Sequence, residues 1–202
     1  MKNARSWHGI LLAAGRGMRF DPSGKSNKLM QMLPSGSTVA QSSASNLLAA
    51  LPNSLAVIPP QAESLANLLR LAGCSTSICP DAHNGMANSL VHALRHELAH
   101  TPEACAGWVF ALADMPFVQP QSIAAIVRVL DQGAGIAVPT YQGRRGNPVG
   151  FSRQYLPQLL LLSGDQGARD LLKTYPVTEV AVDDTGILRD IDVPQDLVLN
   201  SA

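Results

Sequence analysis

Apolar runs of strand length alternate with amphipathic runs of helix length along most of this 202-residue chain. Residues 8–14, 55–58, 76–79, 108–113 and 135–138 read as strands. Between them, residues 37–51, 61–72, 86–98 and 119–131 carry apolar side chains at helical spacing, as in Leu65, Leu68, Leu69 and Leu71. This rhythm predicts parallel strands joined by crossover helices, hence an α/β fold: a doubly wound, mostly parallel sheet with helices on both faces. The run 108–113 is apolar throughout, as a central strand buried on both sides must be. Sheets of this kind bind ligands at the carboxyl ends of their strands.

The first strand ends in Leu11, Leu12, Ala13 and Ala14 and gives way to Gly15, Arg16, Gly17, Met18 and Arg19. Glycines at such a tip let backbone N–H groups approach an anion closely, and Arg16, Arg19, Lys25 and Lys28 surround them with positive charge. A polyphosphate, and so a nucleotide, is the ligand this pattern suits. Two other phosphate loops come near it. The dinucleotide fingerprint needs a third glycine where this chain has Phe20, and residues 19–26 (RFDPSGKS) lack the first glycine of a Walker A loop and begin well past the strand tip. An ordinary surface turn at Gly15 and Gly17 is the plainer reading.

Asp114 closes the apolar strand, where a carboxylate is costly unless it is exposed or meets a cation. The following Met115-Pro116 forces an extended exit. A Mg²⁺ ligand and a turn or capping aspartate are the two readings, since Mg²⁺ takes one or two carboxylates and fills its shell from substrate phosphates. Asp190 and Asp192 form a second acidic pair, on one side of an extended segment with Ile191 on the other. Asp192 could equally cap a helix starting near Val193, with Pro194 in its first turn. His92, His96 and His100 share one helix face at i, i+4 spacing, which reads as a solvated face ahead of a metal site.

Lys+Arg and Asp+Glu both number 15, so the net charge is zero, which argues against a nucleic-acid binder. With 46% hydrophobic and 15% charged residues the chain is expected to fold as one domain over 1–202. No apolar stretch reaches membrane-spanning length and no signal core precedes residue 10, so no membrane partner and a cytoplasmic location are expected. Cys74, Cys79 and Cys105 match no metal-ligand spacing and read as buried reduced thiols. The rhythm breaks over about 140–183, where a loop through Gly146, Asn147, Pro148 and Val149, two short helices (153–162 and 166–175) and an edge strand at 177–182 are expected. That stretch reads as an insertion.

These landmarks, in this order, resemble the MobA-like nucleotidyltransferases, and within them the molybdenum cofactor cytidylyltransferase (MocA-like) branch. The resemblance rests on Leu12-Ala13-Ala14-Gly15 with Arg19 and Lys28, and on Asn84-Gly85-Met86-Ala87-Asn88-Ser89-Leu90. It continues through Asp114-Met115-Pro116, Gly146-Asn147-Pro148-Val149, Gly164 to Arg169, and Asp190-Ile191-Asp192-Val193-Pro194-Gln195-Asp196-Leu197. It implies a Rossmann-like nucleotidyltransferase that transfers CMP from CTP to the terminal phosphate of molybdopterin, releasing pyrophosphate. Leu12, Ala13, Ala14, Gly15, Arg16, Gly17, Asn84, Gly85 and Ser89 would bind the nucleotide. Lys28, in preference to Lys25, would meet its phosphates, and Arg19, Lys28 and Asp114 would be catalytic. The implied cofactor is Mg²⁺, on Asp114 and Asp192, with Asp190 the alternative to the latter.

Asn147, Pro148, Gly164, Asp165 and Arg169 fall on what would be the acceptor side, making 140–183 an acceptor-side insertion. Delivery of the product would bring transient contact with a molybdenum enzyme or its chaperone. Guanylyl-transferring relatives carry glycine where Ala14 stands, and the extra methyl would crowd a purine, an effect of about 1–3 kcal/mol in favour of CTP. Here residues 20–27 lengthen the loop before the lysine. GTP use, transfer to another phosphorylated small molecule, and a non-catalytic carrier of the pterin are the alternatives.

Overall fold

Successive side chains of a strand point to opposite faces, so a strand that is apolar at every position needs cover on both sides. The computed structural model describes residues 6–15, 17–23, 26–100, 105–164 and 167–198. The chain runs through β1 (Ser6–Leu12), α1 (Val39–Ala50), β2 (Ser54–Ile58), α2 (Glu63–Ala72), β3 (Ser75–Ile78), α3 (Met86–His100) and β4 (Cys105–Leu112). It continues through α4 (Pro120–Asp131), β5 (Ile136–Tyr141), β6 (Arg144–Arg145), β7 (Val149–Ser152), α5 (Leu156–Leu160), α6 (Arg169–Thr174) and β8 (Thr178–Ala181). On one face Leu11, Ala56, Ile58, Val109 and Ala111 pack with Leu47, Leu65, Leu69, Ile123 and Ile126 of α1, α2 and α4. On the other, Ile10, Leu55, Val57, Trp108 and Phe110 pack with Leu90, Leu94 and Leu159 of α3 and α5. Each large apolar side chain fully buried contributes about 1.5–3 kcal/mol, so these two layers dominate the stability of the sheet.

The strand order is β3-β2-β1-β4-β7-β5-β6, with β8 against β5. β1 is parallel to β2 and β4, β2 to β3, and β5 to β8. The α/β reading therefore holds: a mostly parallel sheet with helices on both sides. The departure lies at β7, which runs antiparallel between β4 and β5. It gets there through a tight hairpin from β5, in which Gln142 and Gly143 both take positive φ (49° and 76°), as a two-residue hairpin turn requires.

The expected helix at 153–162 is a 3₁₀ turn (Arg153–Tyr155) followed by the short α5, and the expected C-terminal helix is a 3₁₀ turn at Pro194–Leu197. The histidine face of α3 is also not simply solvated. His92 Nε2 lies 2.8 Å from the Ser77 hydroxyl on β3, and the His96 and His100 rings stack at 4.1 Å. Burial, with the neighbouring His96 charge, lowers the pKa of His92.

All three cysteines are buried free thiols. Burial pushes Cys74 and Cys105 up to about 11 from an ordinary 9.0. Between those limits the unfolded chain releases protons that the folded chain retains. Stability should therefore be unaffected by these thiols below pH 9 and fall above it, by at most about 1.4 kcal/mol per pH unit for each. Denaturant midpoints at pH 8, 9 and 10 check this, and the native thiols should resist a thiol reagent at pH 8 until the protein unfolds. Rapid labelling of the native protein at pH 8 would contradict it.

Candidate active site

β1 and β4 are parallel neighbours in a register that pairs Leu12 with Leu112, and the Ala113 N–H donates to the Leu12 carbonyl at 3.1 Å. Both chains leave the sheet at the same end, which sets the Gly15–Gly17 turn beside Asp114. Ala13 and Ala14 are buried at the tip. Gly17 has φ +60°, and its carbonyl accepts the N–H groups of Phe20 (2.9 Å) and Asp21 (3.1 Å), closing a tight turn. Phe20, where a dinucleotide loop would need glycine, is buried in the core and anchors the loop.

The extra residues after Phe20 are organised by Asp21. Its carboxylate accepts from the Ser23 N–H and hydroxyl and from the Ser26 N–H at 2.6–2.8 Å. Asn27 then caps a three-residue 3₁₀ turn, Lys28–Met30. A Walker A loop opens directly into a helix, whereas here α1 begins only at Val39, so the P-loop alternative does not apply. Arg16, Lys25 and Asp165 lie outside the described residues.

Lys28 is buried at 8% exposure, and its ammonium group is held by acids from distant parts of the chain. Nζ donates to Asp114 Oδ2 at 2.6 Å, to the Ile191 carbonyl at 2.9 Å and to Asp192 Oδ1 at 3.4 Å. Asp192 Oδ2 also pairs with the exposed Arg19 at 2.5 Å. Ile191 fixes this meeting, because its N–H donates to the Asp114 carbonyl at 2.8 Å. Asp192 is not a helix cap. Val193 holds the N-cap position of the Pro194–Leu197 turn, and the Asp196 carboxylate reaches back from inside it to accept the N–H groups of Asp192 and Val193 at 2.8 Å. Nor does Asp114 cap α4, whose N-cap is Gln119. Both acids are thus free of the local duties that competed with cation binding.

Burial pushes the Asp190 carboxyl above its usual range, and the charges of Asp192 and Asp114 add to that. Two carboxylates converging on one ammonium ion form a hard-oxygen cation site, which fits Mg²⁺ or Mn²⁺ completing its shell from phosphates and water. Among the described residues no group of three or more His, Cys, Asp or Glu could hold a metal, so water and, in turnover, substrate phosphates would fill the rest of the shell of an ion held by two carboxylates.

Beside this cluster lies a cavity of about 330 Å³ whose walls include Leu12, Ala14, Gly15, Lys28, Gly85, Ser89 and Asp114. A second, of about 410 Å³, shares Ala14, Gly15, Lys28, Ala82 and His83 and extends to Gly17, Gln61 and Pro80. Together they have the size of a nucleotide site. The 330 Å³ cavity is entered by the N-terminus of the 15-residue α3, since Gly85 and Met86 line it, and such a terminus favours anions. Gly85, at φ +116°, turns the chain from the Ala82–Asn84 turn into that helix.

The expected site residues therefore separate into groups. Leu12, Ala14, Gly15, Lys28, Gly85, Ser89 and Asp114 share one cavity, Gly17 borders its neighbour, and Asp192 joins them through Lys28. Asn84 is exposed and absent from the walls. Gly164 comes to the first turn of α3, its carbonyl accepting the Ala87 N–H at 3.2 Å, while Arg169 is exposed at the start of α6. Asn147 and Pro148 lie elsewhere, around a tight void with Ser43, Asn46 and Met115. The two acceptor-side motifs do not meet in one cavity among the described residues.

Sequence reasoning missed His83, which borders both cavities. It also missed Ser43 and Asn46 of α1, which donate to the carbonyls of Ala113 (2.9 Å) and Pro116 (3.0 Å) and brace Asp114 from both sides. Their helical positions carry no sign of partners 70 residues away.

A glycine turn and a helix N-terminus lining one cavity with Lys28 and Asp114, at the ends of parallel strands, define a class: an α/β domain with the layout of a nucleotide-binding fold. The chain belongs to the MobA-like NTP transferase family, whose domain matches residues 9–180. Over 125 residues it is 32% identical to purine catabolism protein PucB of Bacillus subtilis (strain 168), a stretch covering 60% of this chain and 58% of PucB. The match thus spans little more than half of that relative.

Rv0371c from Mycobacterium tuberculosis H37Rv superposes with a TM-score of 0.78 at 27% identity over 96% of both chains. The manganese complex of Rv0371c gives 0.72 at 27% identity over 95% of both. Among the described residues no helix is long and apolar enough to cross a membrane.

Proposed function

We propose that this protein is a divalent-cation-dependent cytidylyltransferase that transfers CMP from CTP to the terminal phosphate of molybdopterin. The observation that carries the reading is the convergence of Asp114 and Asp192 on the Lys28 ammonium beside the cavity lined by Gly15 and the α3 N-terminus. The manganese bound by Rv0371c supports a divalent ion, with Mg²⁺ the ordinary physiological choice. The methyl of Ala14 supports the base, because it stands in the wall of both cavities, where it takes space from a purine.

In this reading the Gly15–Gly17 turn and the first turn of α3 hold the triphosphate by backbone N–H groups. Asp114 and Asp192 would hold the ion, which when bound supplies charge neutralisation at the α- and β-phosphates. Lys28 exchanges its carboxylate partners for phosphate oxygens, and Arg19, exposed and paired only at its tip, closes over them. A phosphate oxygen of the acceptor forms a bond to the α-phosphorus as the α–β bridging P–O bond breaks and pyrophosphate leaves. That nucleophile is already an anion, so orientation and charge stabilisation suffice and no protein base is required. The acceptor would approach along Gly164, which lies beside the first turn of α3, and Arg169.

A turnover assay with molybdopterin, Mg²⁺ and each of CTP, GTP and ATP tests this through pyrophosphate release. CTP should be preferred by about 10-fold or more, the scale of a methyl-sized difference. Equal rates would remove the role of Ala14. Binding without pyrophosphate release would identify a carrier, and release only with a different phosphorylated acceptor would reassign the substrate.

A further inference from the structure

Asp184 is 3% exposed and makes no ion pair among those described. Its carboxylate is satisfied instead by three donors: the Gln119 N–H at 2.8 Å, the Ser122 hydroxyl at 2.7 Å and the Gly186 N–H at 2.9 Å. The first two belong to the start of α4, where Gln119 supplies no side-chain cap of its own. The third lies in the 3₁₀ turn Thr185–Leu188. Asp184 thus ties the start of α4, at its N-cap residue Gln119 and at the Ser122 hydroxyl, to a turn some 65 residues later in the chain.

The two segments it joins are those that carry the candidate cation ligands. Asp114 lies just before α4 and Asp192 just after the turn. Between them the backbones press together without side chains: a Cβ at Gly186 would sit 2.0 Å from the Phe117 carbonyl oxygen. The same turn reaches the acceptor-side motif, because the Ile187 carbonyl accepts the Asn147 N–H at 2.9 Å. The spacing that the Ile191–Asp114 backbone bond sets beside the acids is thus tied a second time, by a clamp that neither acid provides.

We propose that Asp184 is a positioning residue for the divalent-cation site, setting the distance between Asp114 and Asp192 through the α4 N-terminus and the Thr185–Leu188 turn. The proposal rests on the reading of those two acids as the cation ligands. A side chain that orients metal ligands affects metal affinity directly, typically by about 10- to 100-fold, whereas a merely stabilising contact affects only the folded fraction.

The test is Mn²⁺ binding to the full chain, followed by electron paramagnetic resonance, for the wild type, D184N, S122A and D114N, each with a thermal melt. D184N should weaken Mn²⁺ binding by about 10- to 100-fold and S122A by less. The half-saturating metal concentration in turnover should rise in parallel, while the nucleotide KM at saturating metal stays at the wild-type value. Folded D184N with wild-type Mn²⁺ affinity overturns the proposal, even if it melts earlier. Should D184N fail to fold, S122A with unchanged Mn²⁺ affinity overturns it. D114N that binds Mn²⁺ as tightly as the wild type overturns instead the assignment of the cation site.

Discussion

Asp114→Asn is expected to lower kcat by about 10³-fold or more while leaving the fold intact, because a neutral amide is a poor ligand for a hard divalent ion. The substitution keeps the size of the side chain and its place past the end of β4. Ser43 and Asn46 still brace the flanking carbonyls, so the turn should hold. The lost partner is the 2.6 Å contact to the Lys28 ammonium. Lys28 retains Asp192 and the Ile191 carbonyl, so the stability cost should be about 1–3 kcal/mol rather than that of an orphaned buried charge. Pyrophosphate release and a thermal melt on the same preparation separate the two effects. Turnover near the wild-type rate in D114N would remove Asp114 from the catalytic site.

Lys28→Met is expected to lower kcat by about 10²–10³-fold, the usual loss when one preorganised electrostatic partner of the transition state is removed. It should also increase the stabilisation the protein gains from metal. With the ammonium gone, Asp114 and Asp192 face each other and, among the described residues, only Arg19, itself largely exposed, pairs with either of them. The metal-free variant should melt below the wild type, and added Mn²⁺ should raise its Tm more than it raises that of the wild type, since the ion no longer has to displace a resident cation. Equal Mn²⁺-induced shifts in the two proteins would show that the ion binds away from Lys28.

Much of this architecture is legible in the sequence because it is locally encoded. Apolar runs such as 108–113 and helical stripes such as Leu65, Leu68 and Leu69 report burial and period directly, and the observed elements fall within a few residues of those runs. The antiparallel course of β7 is different. Strand direction in a sheet is set by which neighbour the chain reaches, and only the positive-φ pair Gln142 and Gly143 hints at the hairpin that reverses it.

The site divides along the same line. The Gly15–Gly17 turn, the α3 N-terminus and Asp114 stand at junctions of strand, turn and helix, where side-chain chemistry and local geometry coincide. Asp192 is ambiguous in sequence because an aspartate before Val193-Pro194 suits a cap as well as a cation; only the three-dimensional structure puts Val193 at the cap and turns the Asp192 side chain to Lys28 and Arg19. Asp184 carries a local signal, an aspartate two residues before a glycine, that foretells its bond to the Gly186 N–H. Its bonds to Gln119 and Ser122 are tertiary, and no local pattern encodes them.

The most direct measurement of the central claim is anomalous diffraction from crystals grown with Mn²⁺ and a non-hydrolysable CTP analogue. The account predicts a manganese peak bridging Asp114 and Asp192 and touching the triphosphate, with the base against Ala14 and the Lys28 ammonium moved onto phosphate oxygens. A peak remote from both acids, with Lys28 still held between them and the nucleotide bound elsewhere, would contradict it.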